Sequence, residues 1–317
     1  KLMETWRDTL DFGKYKPQCM QIFFKGELPW EWGSSEDCLY VNIYAPKDAI
    51  ENPNSKYPVM VYFHGGAYFF GSNNFRDGHG TIVADRQNII VVSVAYRLGI
   101  FGFAHNSAFM EEDGVMGNWG SIDQRMALKW VNKYIHNIGG DPAQVTISGC
   151  SAGGQSTMLH LTSPNSWPYF SRIADFSGPN GIPYKNISEA ESLNSEFFRQ
   201  IDCCSDSTCT LADIECLRSK TTAEIQSAAW KLYTFELDDP EKVTQSGEPY
   251  APVIDGQILV DYPFNLISKG EIRPQTEVIY GNQQDEGFIF TPSERLVSFF
   301  YRRNDIAQAK TVTFYIS

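Results

Sequence analysis

The chain has 317 residues, and its 38 acidic side chains outnumber its 26 basic ones, giving a formal net charge of −12 at pH 7. Such a charge argues against a nucleic-acid partner, because nucleic acids are bound by basic surfaces. Hydrophobic residues make up 42% of the chain, which suits a substantial core. No run of about 18 apolar residues is present, so we expect no transmembrane span.

Short apolar segments rich in β-branched and aromatic residues alternate with helical patterns, as in a sheet buried on both faces. The predicted strands are Leu39–Ala45, Val59–Phe63, Ile89–Val94, Val145–Ser148, Ile173–Phe176 and Glu277–Tyr280. The predicted helices are Ser121–Asn137, Ala152–Leu161 and Ile187–Ile201, the first of them capped by Ser121. This pattern predicts a single α/β domain over residues 1–317, with a cap-like helical insertion around residues 185–252.

The second predicted strand runs directly into the sequence His64-Gly65-Gly66-Ala67. Glycines that follow a strand in this way allow a substrate carbonyl to approach backbone N–H groups, which then stabilise a developing oxyanion. A plain Gly-Gly turn that leaves a strand is the simpler interpretation when no nucleophile motif follows. The function of this loop therefore depends on what lies further along the chain.

Such a motif is present, because residues 149–153 read Gly-Cys-Ser-Ala-Gly between a predicted strand and a predicted helix. In a G-x-S-x-G turn the serine sits on a sharp strand-to-helix bend with its hydroxyl exposed, and glycines avoid clashes between the flanking elements. Ser151 is therefore the candidate nucleophile. The order of the two motifs favours acyl transfer.

The seven cysteines and one sequon indicate an oxidising compartment. Zinc is the rival explanation for the cluster between Cys203 and Cys216, but no histidine lies near it and the C-x-x-C spacing is absent. We expect no metal and no cofactor. Asn186-Ile187-Ser188 is a candidate N-glycosylation site, which agrees with a secreted or lumenal protein.

Several further segments resemble the type-B carboxylesterases and cholinesterases, in family order and over nearly the whole chain. They are Glu36–Tyr44, Tyr96–Phe103, Gly117–Pro142, Gly281-Asn282 and Asp285–Gly287. The resemblance implies an α/β-hydrolase fold, with a central, mostly parallel sheet flanked by helices, and a small ester as substrate. It also marks a departure, since the family most often has Glu at the position of Cys150.

The resemblance implies a Ser–His–Glu triad in which Ser151 is the nucleophile and Glu286 is the acid that orients the histidine. Gly65, Gly66 and Ala152 would donate hydrogen bonds to the oxyanion, and Trp119 would line the active-site gorge. Arg97 and Asp123 resemble a structural ion pair of the family. The family also pairs Cys19 with Cys38, and Cys216 with Cys203 or Cys204, which leaves open a bridge from the remaining cysteine to Cys209.

No histidine completes this triad. The five in the chain are His64, His79, His105, His136 and His160, and all precede Glu286, whereas the base should follow the acid. His160 lies nine residues after Ser151 on the predicted helix, roughly 13 Å away, and is expected to be packed. No other histidine has a triad context.

Two explanations remain. The chain resembles an incomplete domain, since Trp6, Cys19 and Gln21 match a stretch inside the family's domain and Lys310–Ser317 reads as an interior strand. A missing C-terminal portion or a companion chain would then supply the base, and residues 1–317 alone would be inactive. The alternative is a non-catalytic cholinesterase-like adhesion, scaffold or storage protein. Because Ser151 and Glu286 are both present, the incomplete esterase is favoured.

Overall fold

The computed structural model describes residues 13–21, 33–52, 54–75, 78–182, 184–204, 209–238, 250–284 and 286. In chain order the strands are β1 (Gln18–Cys19), β2 (Ser34–Ser35), β3 (Val41–Tyr44), β4 (Tyr57–Phe63), β5 (Ile90–Val94), β6 (Gly140–Cys150), β7 (Arg172–Phe176), β8 (Lys185–Asn186), β9 (Val253–Ile254) and β10 (Glu277–Gly281). The predicted strand at Lys310–Ser317 lies outside the described residues.

Six of these strands form the central sheet, in the order β10-β7-β6-β4-β5-β3. Only β3 runs antiparallel to its neighbour, and the other pairs in this sheet are parallel. The carboxyl ends of β4, β6, β7 and β10 therefore lie at one edge of the sheet. In open α/β sheets, ligands bind outside that edge.

Helices flank the sheet. They are α1 (Lys47–Glu51), α2 (Thr81–Gln87), α3 (Gly99–Phe103), α4 (Ala108–Asp113), α5 (Trp119–Tyr134), α6 (Ala152–Leu161), α7 (Ile187–Gln200), α8 (Leu211–Ser219), α9 (Thr222–Asp238) and α10 (Pro263–Lys269), with 3₁₀ segments at Ile135–Ile138 and Pro164–Tyr169. One buried apolar cluster joins sheet residues to α5 and α6, and another joins the loops after β4 and β5 to α7, α8 and α9. The mostly parallel sheet and its helices confirm the predicted α/β-hydrolase fold.

Each predicted strand and helix that lies among the described residues is present, with ends within two residues of those predicted, except in β6 and α5. Strand β6 begins at Gly140, five residues before the predicted start, because Gly140 pairs with Tyr57 of β4 before a register shift, after which pairing resumes at Val145. Helix α5 begins at Trp119, so the predicted cap at Ser121 is wrong. Asn118 precedes the helix instead, and its side chain bonds the backbone of Val253 rather than the helix.

Two of the implied pairings are confirmed. Cys19 is bonded to Cys38 and Cys203 to Cys216. The bridge left open between Cys204 and Cys209 is not formed. Both residues are buried thiols, and a hydrogen bond joins them. Burial, with a smaller contribution from that hydrogen bond, raises the pKa of Cys209 to about 12.

Two further expectations concern the ion pair and the membrane. Arg97 and Asp123 form the expected ion pair, with nitrogen–oxygen distances of 2.7 and 2.9 Å. The pair fastens α5 to the segment that follows β5.

In the described part of the chain, no helix combines the length and apolarity needed to cross a membrane. No cluster of His, Cys, Asp or Glu suited to a metal ion occurs among the same residues.

Candidate active site

Ser151 stands alone between the end of β6 and the start of α6, in a strained backbone conformation with φ 56° and ψ −125°. Its N–H donates to the carbonyl of Phe176 at 3.0 Å. An added Cβ at Gly149 would come within 2.2 Å of the Gly153 carbonyl carbon, and one at Gly153 within 2.0 Å of the Phe63 oxygen. Only glycines therefore permit this close approach of β4, β6 and α6, which fixes the serine on the expected bend.

The glycine loop after β4 lies against the serine. A Cβ at Gly65 would be 3.2 Å from the Cβ of Ser151 and 2.7 Å from the carbonyl oxygen of Cys150. Gly66 has a φ of +113°, which favours glycine. Ala152 is the first residue of α6, where a backbone N–H has no partner inside the helix. The structure thus brings the Gly65–Gly66 loop and the first residue of α6 next to Ser151.

Support for this loop comes from residues that sequence analysis did not assign to it. The ring of His64 stacks on Tyr96 at a centroid distance of 4.3 Å, and the Tyr96 hydroxyl donates to the His64 carbonyl at 2.7 Å. Gln21 accepts from the N–H of Gly71 and donates to its carbonyl. A Cβ at Gly71 would lie 2.3 Å from Nδ1 of His64. Gln21, two residues after the first disulfide, therefore holds Gly71 against the glycine loop.

His160 lies in the last turn of α6, nine residues after Ser151, and is fully buried, as expected of a packed histidine. Its Nδ1 accepts from the hydroxyl of Ser166 at 2.9 Å, and its Nε2–H donates to the Gln124 carbonyl oxygen at 3.2 Å. Burial, with a smaller contribution from the charge of Arg125, lowers the pKa of His160 to about 3. The ring is therefore neutral at physiological pH and has no free nitrogen with which to serve as a base.

Three further histidines lie outside the glycine loop and α6. His79 is exposed and packs on Tyr44, with ring centroids 4.8 Å apart. His136 precedes β6, so the full length of that strand, roughly 33 Å, separates it from Ser151. His105 is buried, and this burial lowers its pKa. Among the described residues, no hydrogen bond joins a histidine to the Ser151 hydroxyl.

Glu286 lies on the turn that follows β10, at the same edge of the sheet as Ser151, with β7 between their strands. It is exposed, and its carboxylate accepts the N–H of Gln283 at 2.5 Å. The structure thus brings the candidate acid to the correct edge without a histidine beside it in the described part of the chain. Trp119 packs edge-to-face on Phe109 at 4.7 Å, so its expected position in a gorge stays a prediction.

Sequence analysis missed one buried carboxylate at this edge. Asp175, next to the last residue of β7, has no solvent exposure. Its Oδ1 accepts the N–H of Gly178 at 3.0 Å, and its Oδ2 accepts from the amide of Asn180 at 2.8 Å. Burial raises the pKa of Asp175 to about 6, although both hydrogen bonds act in the opposite direction. The signal in the sequence was an acidic residue inside an otherwise buried strand.

Comparison with known proteins identifies the family of this chain. The family model of the carboxylesterase family matches residues 1–313. The chain belongs to the carboxylesterase family. Its structure is similar to the solved structure of a thermophylic PNB esterase, with a TM-score of 0.80 and 32% sequence identity. The matched region covers 92% of this chain and 56% of the esterase chain.

The similar proteins include two with the names of enzymes and one whose name describes no activity. Acetylcholinesterase of Bungarus fasciatus is 35% identical over 298 residues, which cover 91% of this chain and 46% of the relative. Liver carboxylesterase 1 of Oryctolagus cuniculus is 33% identical, over 90% and 51%. The crystal protein of Dictyostelium discoideum is 36% identical, over 90% and 48%. The chain spans about half the length of these curated relatives.

Proposed function

We propose that this chain carries the nucleophile and oxyanion hole of a serine carboxylic-ester hydrolase. The observation that supports the proposal most is the strained Ser151, held at the carboxyl edge of the sheet with Gly65 in contact with it. A serine in ordinary loop conformation would need neither the left-handed φ nor the glycines around it. The family and its esterase members support the same reaction class.

In the proposed reaction, the hydroxyl oxygen of Ser151 attacks the ester carbonyl while a histidine takes its proton. The N–H groups of Gly65, Gly66 and Ala152 donate to the oxyanion that forms. Collapse of this intermediate releases the alcohol, protonated by the same histidine, and leaves an acyl group on the serine. Water then attacks the acyl-enzyme by the reverse sequence of proton transfers, and neither metal nor cofactor takes part.

The base is the component that this chain does not supply. Glu286 would orient a histidine from polypeptide outside residues 1–317, either a C-terminal continuation or a companion chain. The buried, neutral His160 supports this assignment, because its two nitrogens are already engaged by Ser166 and Gln124. Without the base the serine is not activated, so we expect residues 1–317 alone to hydrolyse esters negligibly.

The proposed setting is a secretory or lumenal compartment. Two disulfides in the described residues support it, since such bonds persist mainly in oxidising environments. Asn186 is exposed, and its side-chain oxygen caps α7 by accepting the N–H of Glu189. A glycan on its amide nitrogen would leave that oxygen free to act as the helix cap.

The helices α7, α8 and α9 would cover the active site, and Trp119 would line the gorge.

The decisive experiment treats the native protein with a fluorophosphonate, which labels activated serines, and maps the label by peptide mass. We expect one label within residues 1–317, on Ser151, and its loss in Ser151→Ala. The control Ser268→Ala, an exposed serine on α10, should label as the unaltered protein does.

Native protein that takes no label and purifies with no companion chain would overturn the proposal. It would favour the non-catalytic adhesion, scaffold or storage protein instead. Ester hydrolysis by residues 1–317 alone, abolished in Ser151→Ala, would contradict the external histidine but not the nucleophile.

A further inference from the structure

Asp175 lies where the nucleophile turn and the strand leading to the candidate acid come closest together. Its α-carbon is paired with Gly149 of β6 on one side and with Tyr280 of β10 on the other. Its carboxylate also lies against α6, because a Cβ at Gly154 would come within 2.2 Å of Oδ1. A carboxylate thus fills the space that a glycine in the first turn of α6 leaves open.

The hydrogen bonds of this carboxylate organise the turn that follows β7. The Gly178 N–H and the Asn180 amide both donate to it, and the Tyr280 hydroxyl donates to the Gly178 carbonyl at 3.3 Å. Ser177, at the start of the turn, has a φ of 53°, a conformation that a non-glycine residue adopts only when its surroundings hold it there.

The end of β7 and the turn that follows it contact both halves of the proposed machinery through their backbone. On one side, the carbonyl of Phe176 accepts the N–H of Ser151 at 3.0 Å. On the other, the N–H of Ser177 donates to the carbonyl of Gly281 at 2.7 Å, at the end of the strand that precedes Glu286. A shift of the turn would therefore move the nucleophile relative to the acid loop.

We propose that Asp175 is a positioning residue for the ester-hydrolysis reaction, holding the Ser177–Asn180 turn so that the Ser151 bend and the Glu286 loop keep their relative placement. The assignment rests on the proposed function, because it concerns the geometry of that reaction. Because Asp175 has no solvent exposure, its effect passes through the Phe176 carbonyl and the Gly281 carbonyl. Displacement of a reacting group by about 1 Å is enough to lower a rate by two orders of magnitude.

The test compares variants of the native protein by kcat per active site, with active sites counted by fluorophosphonate titration. Asp175→Ala removes both acceptors, and we expect its kcat per labelled site to fall ~10- to 100-fold with KM within about threefold. Asp175→Asn keeps one acceptor and should restore most of the loss. Asp141→Ala is the matched control, because Asp141 also accepts one backbone N–H and one side-chain amide but lies near the opposite end of β6.

Counting active sites separates positioning from folding, because unfolded molecules lower the number of labelled sites and leave kcat per site unchanged. If Asp175→Ala fails to fold, Gly154→Ala tests the same contact by pushing the carboxylate away. Helix propensity alone predicts that this alanine stabilises α6, whereas the proposal predicts a lower kcat per site. Unchanged kcat per site in every folded variant would overturn the positioning role, while absence of label on the unaltered protein would overturn the proposed function itself.

Discussion

The buried carboxylate of Asp175 should make the stability of this protein depend on pH in an unusual direction. Its pKa is raised from an ordinary 3.8 to about 6 in the folded state, so the folded protein binds this proton more tightly than the unfolded chain does. The contribution of Asp175 to the free energy of unfolding therefore falls as the pH rises from about 4 to about 6, and stays low above that range.

The magnitude follows from the shift. Each pKa unit corresponds to about 1.4 kcal/mol, so the shift of roughly two units penalises the folded state by about 3 kcal/mol at neutral pH. Asp175→Asn removes this titration. The substitution also suits the site, because the side-chain oxygen of Asn180 is buried and unpaired among the described residues. A rotation of the Asn180 amide would present that oxygen to the new amide nitrogen.

The assay is urea unfolding of the unaltered protein and Asp175→Asn, followed by tryptophan fluorescence between pH 4 and pH 8. We expect the stability of the variant relative to the unaltered protein to rise by about 2.5 kcal/mol between pH 4 and pH 7.5, because a small part of the full penalty is already present at pH 4. Asp141→Asn is the control, because hydrogen bonds from Gln144 and Ala143 lower the pKa of Asp141, so its titration lies mostly below this range and its stability difference should stay nearly constant between pH 4 and pH 8. A stability difference for Asp175→Asn that stays constant across this range, or falls as the pH rises, would refute the reasoning.

Three further predictions concern the disulfide, the glycine loop and the sequon. The double variant Cys19→Ser with Cys38→Ser should lose about 3 kcal/mol of stability in denaturant unfolding, because the bond closes a loop with a sequence separation of 19; an unchanged midpoint would contradict this. Gly65→Ala should lower kcat per labelled site at least ~100-fold, because its Cβ would come within 2.7 Å of the Cys150 carbonyl and force the loop away from Ser151; full activity would exclude Gly65 from the oxyanion hole. Asn186→Gln should abolish a mass decrease caused by peptide N-glycosidase, and protein that shows no such decrease before substitution would refute glycosylation.

Some parts of the fold and site could be predicted because they depend on local sequence. The turn around Ser151 is one, since Gly149 and Gly153 are needed wherever a strand and a helix pass this close together. Helix α6 has its predicted bounds for the same reason. The resemblance in the first part of the chain also anticipated the Cys19–Cys38 bond.

Other parts were decided by contacts between distant residues, which periodicity does not reveal. Neighbouring cysteines are equivalent in the sequence, and only the direction of the chain after α7 selects Cys203 as the partner of Cys216. Helix α5 begins before its predicted cap because Asn118 is held by a strand more than 100 residues away.

Asp175 shows the physical reason most clearly. The sequence alone determined that a strand would pass this point, since one acidic residue does not cancel the apolar pattern on either side of it. Only the tertiary structure could place that carboxylate against Gly154 and under the turn, out of water. Burial raises the pKa of this carboxyl group, and its hydrogen bonds lower it. Both are properties of the packed molecule and not of the chain.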